Sequence, residues 1–391
     1  MTALLTRLLG RLPIGWLQLS HAPTRMAAAV AGVGFAAVLV LVQLGMMGAL
    51  NSTVAQSYAP FRADLLISAH DARTLTDGSP LARRWIGPVL ADSAVAAAAP
   101  LYLGKLDWRR ADGSIATLTV YGLPVEAGRF AGPLLAGRLP DLAARDVALI
   151  DRQTRGIDPA ALAGVRPDAP LRFEVQGRTL TAIGSFRLGG GFSADGALIV
   201  SDQTFLRLFP QRIGGTPSHL LVDLHPGMSA GSAATRLQAA LDGSAVQVRT
   251  LPAAIAADLR YQTTQRPTGL IFGFGVAIGV VVGVVIVYQV LSTDVANHLR
   301  EYATFKAMGY PHRQLLSFVF EEAAILAVLG LIPALLLALV IYAGMASATG
   351  LPVAMTPLRA VTVSLGTLAA CLLSGALAAR RLRAADPAEL F

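Results

Sequence analysis

The sequence contains a single cysteine, Cys371, so no disulfide can form within the chain and no metal site can be built on several cysteines. Charged residues are also scarce, at 14% of the 391 residues, and the mean hydropathy is +0.57. A composition this apolar excludes an ordinary soluble protein. It is typical of an integral membrane protein that carries one polar domain.

The sequence also lacks the pattern of a nucleic-acid-binding protein. The formal net charge is +8, but no Lys/Arg patch with interleaved aromatic residues occurs, and several arginines flank apolar stretches instead. We therefore expect no nucleic acid partner.

Four stretches contain no charged residue and have the ~20 apolar residues that a helix needs to cross ~30 Å of hydrocarbon. They are residues 26–50, 268–291, 323–350 and 360–379, and the third predicted span includes a polar entry from residue 316. The first stretch is longer than the apolar core of a signal peptide, so we predict a retained span. The predicted fold class is membrane α-helical, with four transmembrane helices and an α+β extracytoplasmic domain, residues 51–267, between helices 1 and 2.

The basic residues near the spans predict the orientation of the chain. Lys and Arg occur in segments 1–25, 292–315 and 380–391, whereas the turn 351–359 has none before its last residue. The positive-inside rule therefore places both termini and the 292–315 loop in the cytoplasm. The 51–267 domain and the short turn then lie outside.

The large domain shows strand-like runs bounded by Gly, Pro and Asp. Segments 220–224, 230–241 and 245–250 favour a β-α-β unit, and segments 64–68, 81–90 and 95–108 favour a similar unit at the start. A β-rich insertion at about 121–215 separates them. We expect hairpin turns at Asp112-Gly113 and Gln176-Gly177, and two subdomains.

Three groups of residues in this domain could suggest an enzyme or a binding site. They are the glycine run 189–191, the scattered side chains Ser68, His70, Asp71, Ser193 and His225, and the aspartates Asp107, Asp112 and Asp195. None has the spacing of a phosphate loop, a G-x-S-x-G elbow or an EF-hand. We interpret all three as loops and solvated turns, and predict no catalytic, cofactor-binding or metal-binding residue.

The second span contains Gly275, Gly279 and Gly283, four residues apart on one helix face. Small residues let membrane helices approach closely, so this face predicts helix packing, either within the chain or between two copies. No span has an ionisable residue at its centre, which argues against an ion-coupled carrier. Glu321 and Glu322 are expected at the interface where the third span begins, and Pro333 should kink that span.

The loop 292–315 predicts a short amphipathic helix over 294–308. Thr293 or Asp294 would cap its start, and Gly309 would end it. This helix either lies on the lipid surface or docks a cytoplasmic partner.

The run from Pro267 to Tyr310 closely resembles the DevC permease of bacterial ABC exporters, a member of the MacB/FtsX group. The segments IFGFGVAIG, VIVYQVLSTDV and HLREYATFKAMGY carry the resemblance, and ADPAEL at 385–390 resembles the usual ending of that group. The group also has one span, a large external domain and three further spans.

The resemblance implies a dimeric permease of the bacterial inner membrane that works with a separate ATPase pair, which would hold ATP and Mg²⁺. The chain would then be no enzyme, and its Gly104-Lys105 pair indeed lacks the Walker A pattern. A periplasmic adaptor and a TolC-like outer-membrane channel would complete the exporter. The loop helix would be the coupling helix that contacts the ATPase, with these residues: Asp294, His298, Arg300, Glu301, Tyr302, Phe305, Lys306, Met308 and Gly309.

Three functions remain open at this point. The first is export of a lipid or another amphipathic compound by mechanical coupling. The second is an FtsX-type regulator that activates a periplasmic partner such as a hydrolase. The third is a membrane-anchored enzyme, which would depend on a single external Ser, His or Asp.

Overall fold

The computed structural model describes residues 14–379, apart from 111, 136 and 213–214. The chain forms two compact units, and each is described by itself. The helical unit comprises the described parts of Met1–Gly48, Leu270–Gly344 and Val353–Phe391. The sheet domain comprises Ala49–Gly269 and Met345–Pro352.

Four helices in the described part of the chain are long and apolar enough to cross a membrane. They are α2 (Pro23–Ser57), α8 (Pro267–Asn297), α10 (His312–Thr349) and α11 (Pro357–Ala378). A short helix, α1 (Ile14–His21), precedes them. Each long helix has the length that a span requires, and α10 continues through Pro333. The protein is a membrane protein with four such helices, as predicted.

The sheet domain contains one mixed sheet of nine strands. The strands are β1 (Leu65–Ala69), β2 (Val95–Arg109), β3 (Ile115–Leu123), β4 (Val147–Asp151), β5 (Leu171–Val175), β6 (Arg178–Phe186), β7 (Gly196–Ser201), β8 (His219–Leu224) and β9 (Val246–Thr250). Their order is β5-β6-β4-β7-β3-β2-β8-β1-β9. The domain is therefore α+β, and its strands form one sheet where the sequence suggested two subdomains.

Short helices connect the strands. They are α3 (Ile86–Leu90), α4 (Pro159–Ala163), α5 (Asp202–Leu208), α6 (Ala230–Ala240) and α7 (Leu251–Thr264). The units β1-α3-β2 and β8-α6-β9 interleave, because β8 pairs antiparallel with both β1 and β2, and β1 pairs antiparallel with β9. This is a split β-α-β arrangement. The 15-residue strand β2 extends beyond it and pairs with β3, which starts the inserted strands.

The core lies on both faces of the sheet, because successive side chains of a strand point to opposite faces. In β7, Ile199 belongs to one apolar cluster, and Leu198 and Val200 belong to another. In β4, Leu149 and Ile150 divide in the same way. With both faces covered, these strands read as continuous apolar runs rather than as alternating ones.

The predicted glycine face of α8 packs against α2 within the chain. A Cβ placed on Gly275 would meet the side chain of Gln43, and one on Gly279 would lie 2.9 Å from a methyl carbon of Val40. At Gly283 the neighbour would be the Cβ of Ala36, at 3.0 Å. The two backbones approach so closely that larger side chains would clash.

Candidate functional site

The loop between α8 and α10 contains a nine-residue helix, α9 (Leu299–Ala307). It begins five residues later than predicted, because α8 continues to Asn297. The expected caps are wrong: His298 is the N-cap residue and makes no side-chain cap, while the Thr293 hydroxyl donates to the Gln289 carbonyl inside α8.

The C-terminus of α9 is fixed by a glycine turn. Gly309 has a φ of 91°, and its N–H donates to the carbonyl of Lys306 at 3.1 Å. The N–H of Tyr310 donates to the carbonyl of Phe305, also at 3.1 Å, and their rings lie 5.5 Å apart. These two hydrogen bonds and the apolar contact form a Schellman motif, as Gly309 in the sequence suggests.

One face of α9 is anchored to the membrane helices on either side of it. Tyr302 is buried in an apolar cluster with Val295 of α8 and with Leu315 and Phe318 of α10. The half-buried ring of Phe305 lies 6.1 Å from that of Phe318. A displacement of α9 would therefore strain contacts with both neighbouring spans.

Polar contacts add to this anchor. The hydroxyl of Tyr302 donates to Gln18 Oε1 at 3.2 Å, and Gln18 Nε2 donates to Glu301 Oε2 at 3.3 Å. Burial raises the pKa of Tyr302, and the nearby charge of Glu322 raises it further, so the phenol stays neutral. His298 Nδ1 lies 3.2 Å from Asp294 Oδ2, one helical turn earlier.

Two carboxyl groups are buried behind this network. Asp294 is 4% exposed and Glu322 is 0% exposed, and they lie side by side and line the same small pocket. Neither carboxyl oxygen of Glu322 receives a hydrogen bond from the described residues. Glu321 and Glu322 lie farther from the helix N-terminus than expected, because α10 begins at His312, and both side chains are buried.

The structure divides the predicted coupling residues into two sets. Glu301, Lys306, Met308 and Gly309 are exposed, and Met308 is 60% exposed. Asp294 and Tyr302 are buried, and His298 and Phe305 are half-buried, so these four support the helix from inside. The side chain of Arg300 lies outside the description. Gln18 was missed, and nothing in its sequence surroundings indicated its contacts with Glu301 and Tyr302.

In the sheet domain, the glycine run 189–191 is tied to a buried carboxylate. Asp151 accepts hydrogen bonds from the backbone N–H groups of Gln153, Leu188 and Gly189, at 2.8–3.1 Å. The N–H of Gly191 donates to the carbonyl of Ala194. These donors are used inside the protein, so the run is a structural loop rather than a phosphate cradle.

A serine–histidine pair does occur, but it is buried, and it joins Ser68 to His219, a histidine that was not considered in the sequence. The hydroxyl of Ser68 lies 2.8 Å from His219 Nδ1, and His219 Nε2 lies 2.8 Å from the carbonyl of Leu75. Burial lowers the pKa of His219 to about 4. A neutral ring that donates to Leu75 and accepts from Ser68 satisfies both nitrogens, so the pair is structural.

The candidate cation ligands are used in turns and loops. Asp112 accepts from the N–H and hydroxyl of Ser114, and Asp107 accepts from the hydroxyl of Thr117. Asp195 accepts from the N–H of Thr117. Within the described ranges, no group of three or more His, Cys, Asp or Glu side chains is placed to hold a metal ion.

Residues 273–387 match the family model described as FtsX-like permease C-terminal. The membrane region that carries α9 and its anchors is therefore an FtsX-like permease domain. The match ends at residue 387, inside the ADPAEL segment at 385–390, and that segment lies outside the described residues. No curated protein matches the chain at a significant level.

Solved structures similar to the chain include two extramembrane domains and one further permease domain. The periplasmic region of MacB from Actinobacillus actinomycetemcomitans is 14% identical, with a TM-score of 0.33, covering 52% of this chain and 94% of that one. The extracellular domain of the noncanonic ABC-type transporter YknZ from Gram-positive bacteria is 13% identical, with a TM-score of 0.32, covering 48% and 99%. A domain of a putative permease from Porphyromonas gingivalis is 16% identical, with a TM-score of 0.30, covering 49% and 88%.

Proposed function

We propose that this chain is the permease subunit of an ABC-type exporter of the MacB/DevC kind. The observation that carries the proposal is α9, a short helix with an exposed outer face and an inner face packed on two spans. A separate ATPase dimer, holding ATP and Mg²⁺, would dock on the exposed residues Glu301, Lys306 and Met308. Closure of the ATPase would then move α8 and α10 through Tyr302 and Phe305.

In this proposal the transported compound does not cross the membrane through this chain. The sequences of the predicted spans have no Asp, Glu, Lys, Arg or His near their centres, and the proposed work is mechanical. Two copies of the permease would transmit movement to the sheet domain. That movement would pass a lipid or another amphipathic compound to a periplasmic adaptor and a TolC-like outer-membrane channel.

The orientation belongs to the same proposal. Both termini and α9 would face the cytoplasm of a bacterium, with the sheet domain in the periplasm, as the distribution of Lys and Arg indicates. The single cysteine makes this testable, because Cys371 is buried and can be replaced by alanine. In that background, an impermeant thiol reagent applied to intact spheroplasts should label Ile115→Cys and spare Met308→Cys until the membrane is opened. Labelling of both or the reverse pattern contradicts the orientation.

The coupling role is tested by replacing Glu301 and Lys306 together with glutamine. We expect a folded complex that still hydrolyses ATP but transports at least tenfold less, because the docking charges are lost while the new amide at position 301 can still bond to Gln18. The matched control is Asp141→Asn with Arg172→Gln, an exposed pair in the sheet domain. Unchanged transport in the α9 variant would show that the side chains of Glu301 and Lys306 take no part in the coupling contact.

The FtsX-like family match also favours a second candidate, a regulator that activates an external hydrolase. Purification from native membranes separates the two. Co-purification of an ATPase with an adaptor supports export, whereas an ATPase with a soluble hydrolase supports regulation. Absence of any ATPase contradicts both.

A further inference from the structure

The sheet domain contains a cavity of about 780 Å³ that is lined by three arginines, Arg152, Arg155 and Arg187. We call it the arginine cavity. None of the described residues that line it is acidic. Its volume lies within the range of small-molecule sites, ~300–1,000 Å³. A cavity with this lining disfavours cations and attracts anions.

Much of the hydrogen-bonding capacity of these arginines is unused. Arg155 donates to the carbonyl of Gly191 at 2.6 Å and lies 3.6 Å from Asp195 Oδ1. The Nε atoms of Arg152 and Arg155 are buried without an acceptor in the described part of the chain. No hydrogen bond or ion pair joins the side chain of Arg187 to another described residue, and that side chain is exposed.

A second cavity of about 240 Å³ adjoins the first, since both are lined by Gln56, Leu188 and Gly189. It adds two basic residues, Lys105 and Arg266, and one acidic residue, Asp258. Arg266 is paired with Asp77 at 3.1 Å, whereas burial and the charge of Arg266 lower the pKa of Lys105. Basic residues therefore line both cavities, on either side of the wall formed by Gln56, Leu188 and Gly189.

Part of the remaining lining comes from the ends of membrane helices. Residues 50–57 are the last two turns of α2, and residues 346–349 are the last turn of α10. Apolar side chains complete the walls, among them Val54 and Phe192 in the smaller cavity and Leu351 in the larger one. Where an apolar span ends, lipid head groups replace hydrocarbon.

We propose that the arginine cavity binds the phosphate group of an anionic lipid, with the apolar part of the lipid along the ends of α2 and α10. Guanidinium groups recognise phosphate through paired N–H donors, which fits the unused donors of Arg152 and Arg187. The apolar walls favour a phosphate attached to a hydrocarbon chain over a free phosphate ion. The inference deepens the proposed function, and rests on it for the view that such a lipid is the exported compound.

The test uses the full chain in a neutral detergent, without ATP or an ATPase, so that its outcome is independent of coupling. Native mass spectrometry measures the binding of phosphatidylglycerol, phosphatidylcholine and inorganic phosphate to three proteins. These are the wild type, the double variant Arg152→Gln/Arg187→Gln, and the control Arg109→Gln/Arg178→Gln, which loses two exposed charges outside both cavities.

We expect phosphatidylglycerol to bind the wild type and the control at least tenfold more tightly than it binds the cavity variant. Phosphatidylcholine should bind all three weakly, and inorganic phosphate should compete only at high concentration. Equal binding of the two lipids, or equal binding to cavity and control variants, overturns the proposal. Full competition by inorganic phosphate at low concentration also overturns it, because the site would then recognise a free ion.

If the double variant does not fold, Arg187→Glu replaces it, since this side chain is exposed and its substitution leaves no orphaned partner. Phosphatidylglycerol binding should then fall further than in Arg187→Gln. Retention of full binding in Arg187→Glu contradicts the proposal.

Discussion

The sheet domain and the helical unit treat a buried carboxyl group in opposite ways. Asp151 and Glu322 are both 0% exposed. Asp151 receives three backbone hydrogen bonds, which oppose the rise in its pKa that burial causes. Glu322 receives none from a backbone N–H group of the described residues, and its polar contact is with the carboxyl group of Asp294. The carboxyl group of Asp151 holds a loop together through hydrogen bonds. The carboxyl group of Glu322 makes an electrostatically unfavourable contact with Asp294.

This difference in hydrogen bonding indicates which region keeps a single conformation and which region can adopt another. A buried polar group without partners costs free energy, and such costs persist mostly at sites that have a second arrangement. Glu322 lies directly behind α9, the helix proposed to receive the ATPase movement. We therefore expect the helices around Asp294 and Glu322 to be less rigid than the loop at Asp151.

The strongest test of this comparison is Asp151→Ala. Three part-buried N–H groups would lose their acceptor, which should cost about 4 kcal/mol, since each orphaned group costs ~1–3 kcal/mol. Thermal unfolding of the full chain, followed by circular dichroism, checks this against Glu174→Ala, an exposed carboxylate of the same domain. Equal melting temperatures for the two variants would show that the hydrogen bonds to Asp151 do not stabilise the domain.

A second prediction concerns the packing of the helical unit. Gly279→Leu should destabilise it by about 3 kcal/mol, because added bulk at a close contact forces backbone shifts. Gly273→Leu lies on the same helix, but a Cβ there meets no atom within 4 Å, so it serves as the control. The measurement is the yield of folded protein that each variant gives in detergent. Equal yields would show that the glycine face does not contribute to helix packing.

The third prediction concerns the pH dependence of the sheet domain. His219 has a folded pKa of about 4, below its ordinary value of 6.5, so the unfolded chain binds the proton more readily. Its contribution to stability is complete above pH 6.5 and is lost as the pH falls toward 4. Between about pH 7 and about pH 5 the loss should be about 2 kcal/mol.

Buried carboxyls complicate this measurement, because the raised pKa values of Asp151 and Asp258 favour folding at low pH. The comparison is therefore made between the wild type and His219→Gln, with His70→Gln as an exposed control. The difference in unfolding free energy between wild type and His219→Gln should shrink on acidification. A difference that does not vary with pH would contradict the assignment.

The smallest expected effect is at Glu322. Replacement by glutamine exchanges a buried carboxyl group beside Asp294 for a neutral amide, and should stabilise the helical unit by about 1 kcal/mol. Asp294→Asn should stabilise the helical unit by a similar amount. The double variant should be stabilised by less than the sum of the two single effects, because both substitutions remove the same repulsion between the two carboxyl groups. A loss of stability in Glu322→Gln would show that the carboxyl group of Glu322 makes a stabilising contact. Glu322 would then no longer differ from Asp151 in this respect.

Local features were predictable because neighbouring residues cause them. At Gln176-Gly177 both residues have positive φ, 50° and 70°, and Val175 pairs with Arg178 across a two-residue turn. Gly309 was likewise expected to end a helix, and it does so with φ 91°. Apolar length alone indicated the four long helices.

Long-range partners were not predictable from one sequence. Ser68 and His219 are 151 residues apart, and Gln18 and Tyr302 are 284 residues apart. Periodicity shows which face of an element is buried, but it contains no information about the element that covers it. The start of α9 was misplaced because α8 continues to Asn297, past the caps expected at Thr293 or Asp294.

An open sheet has two edges, and here they are β5 and β9. Both are five residues long, and each carries an arginine, Arg172 or Arg249, while β5 also carries Glu174. Short, charged edge strands resist pairing with a strand of another molecule. Copies of this protein crowded side by side in a membrane are thereby protected against polymerising through their sheets.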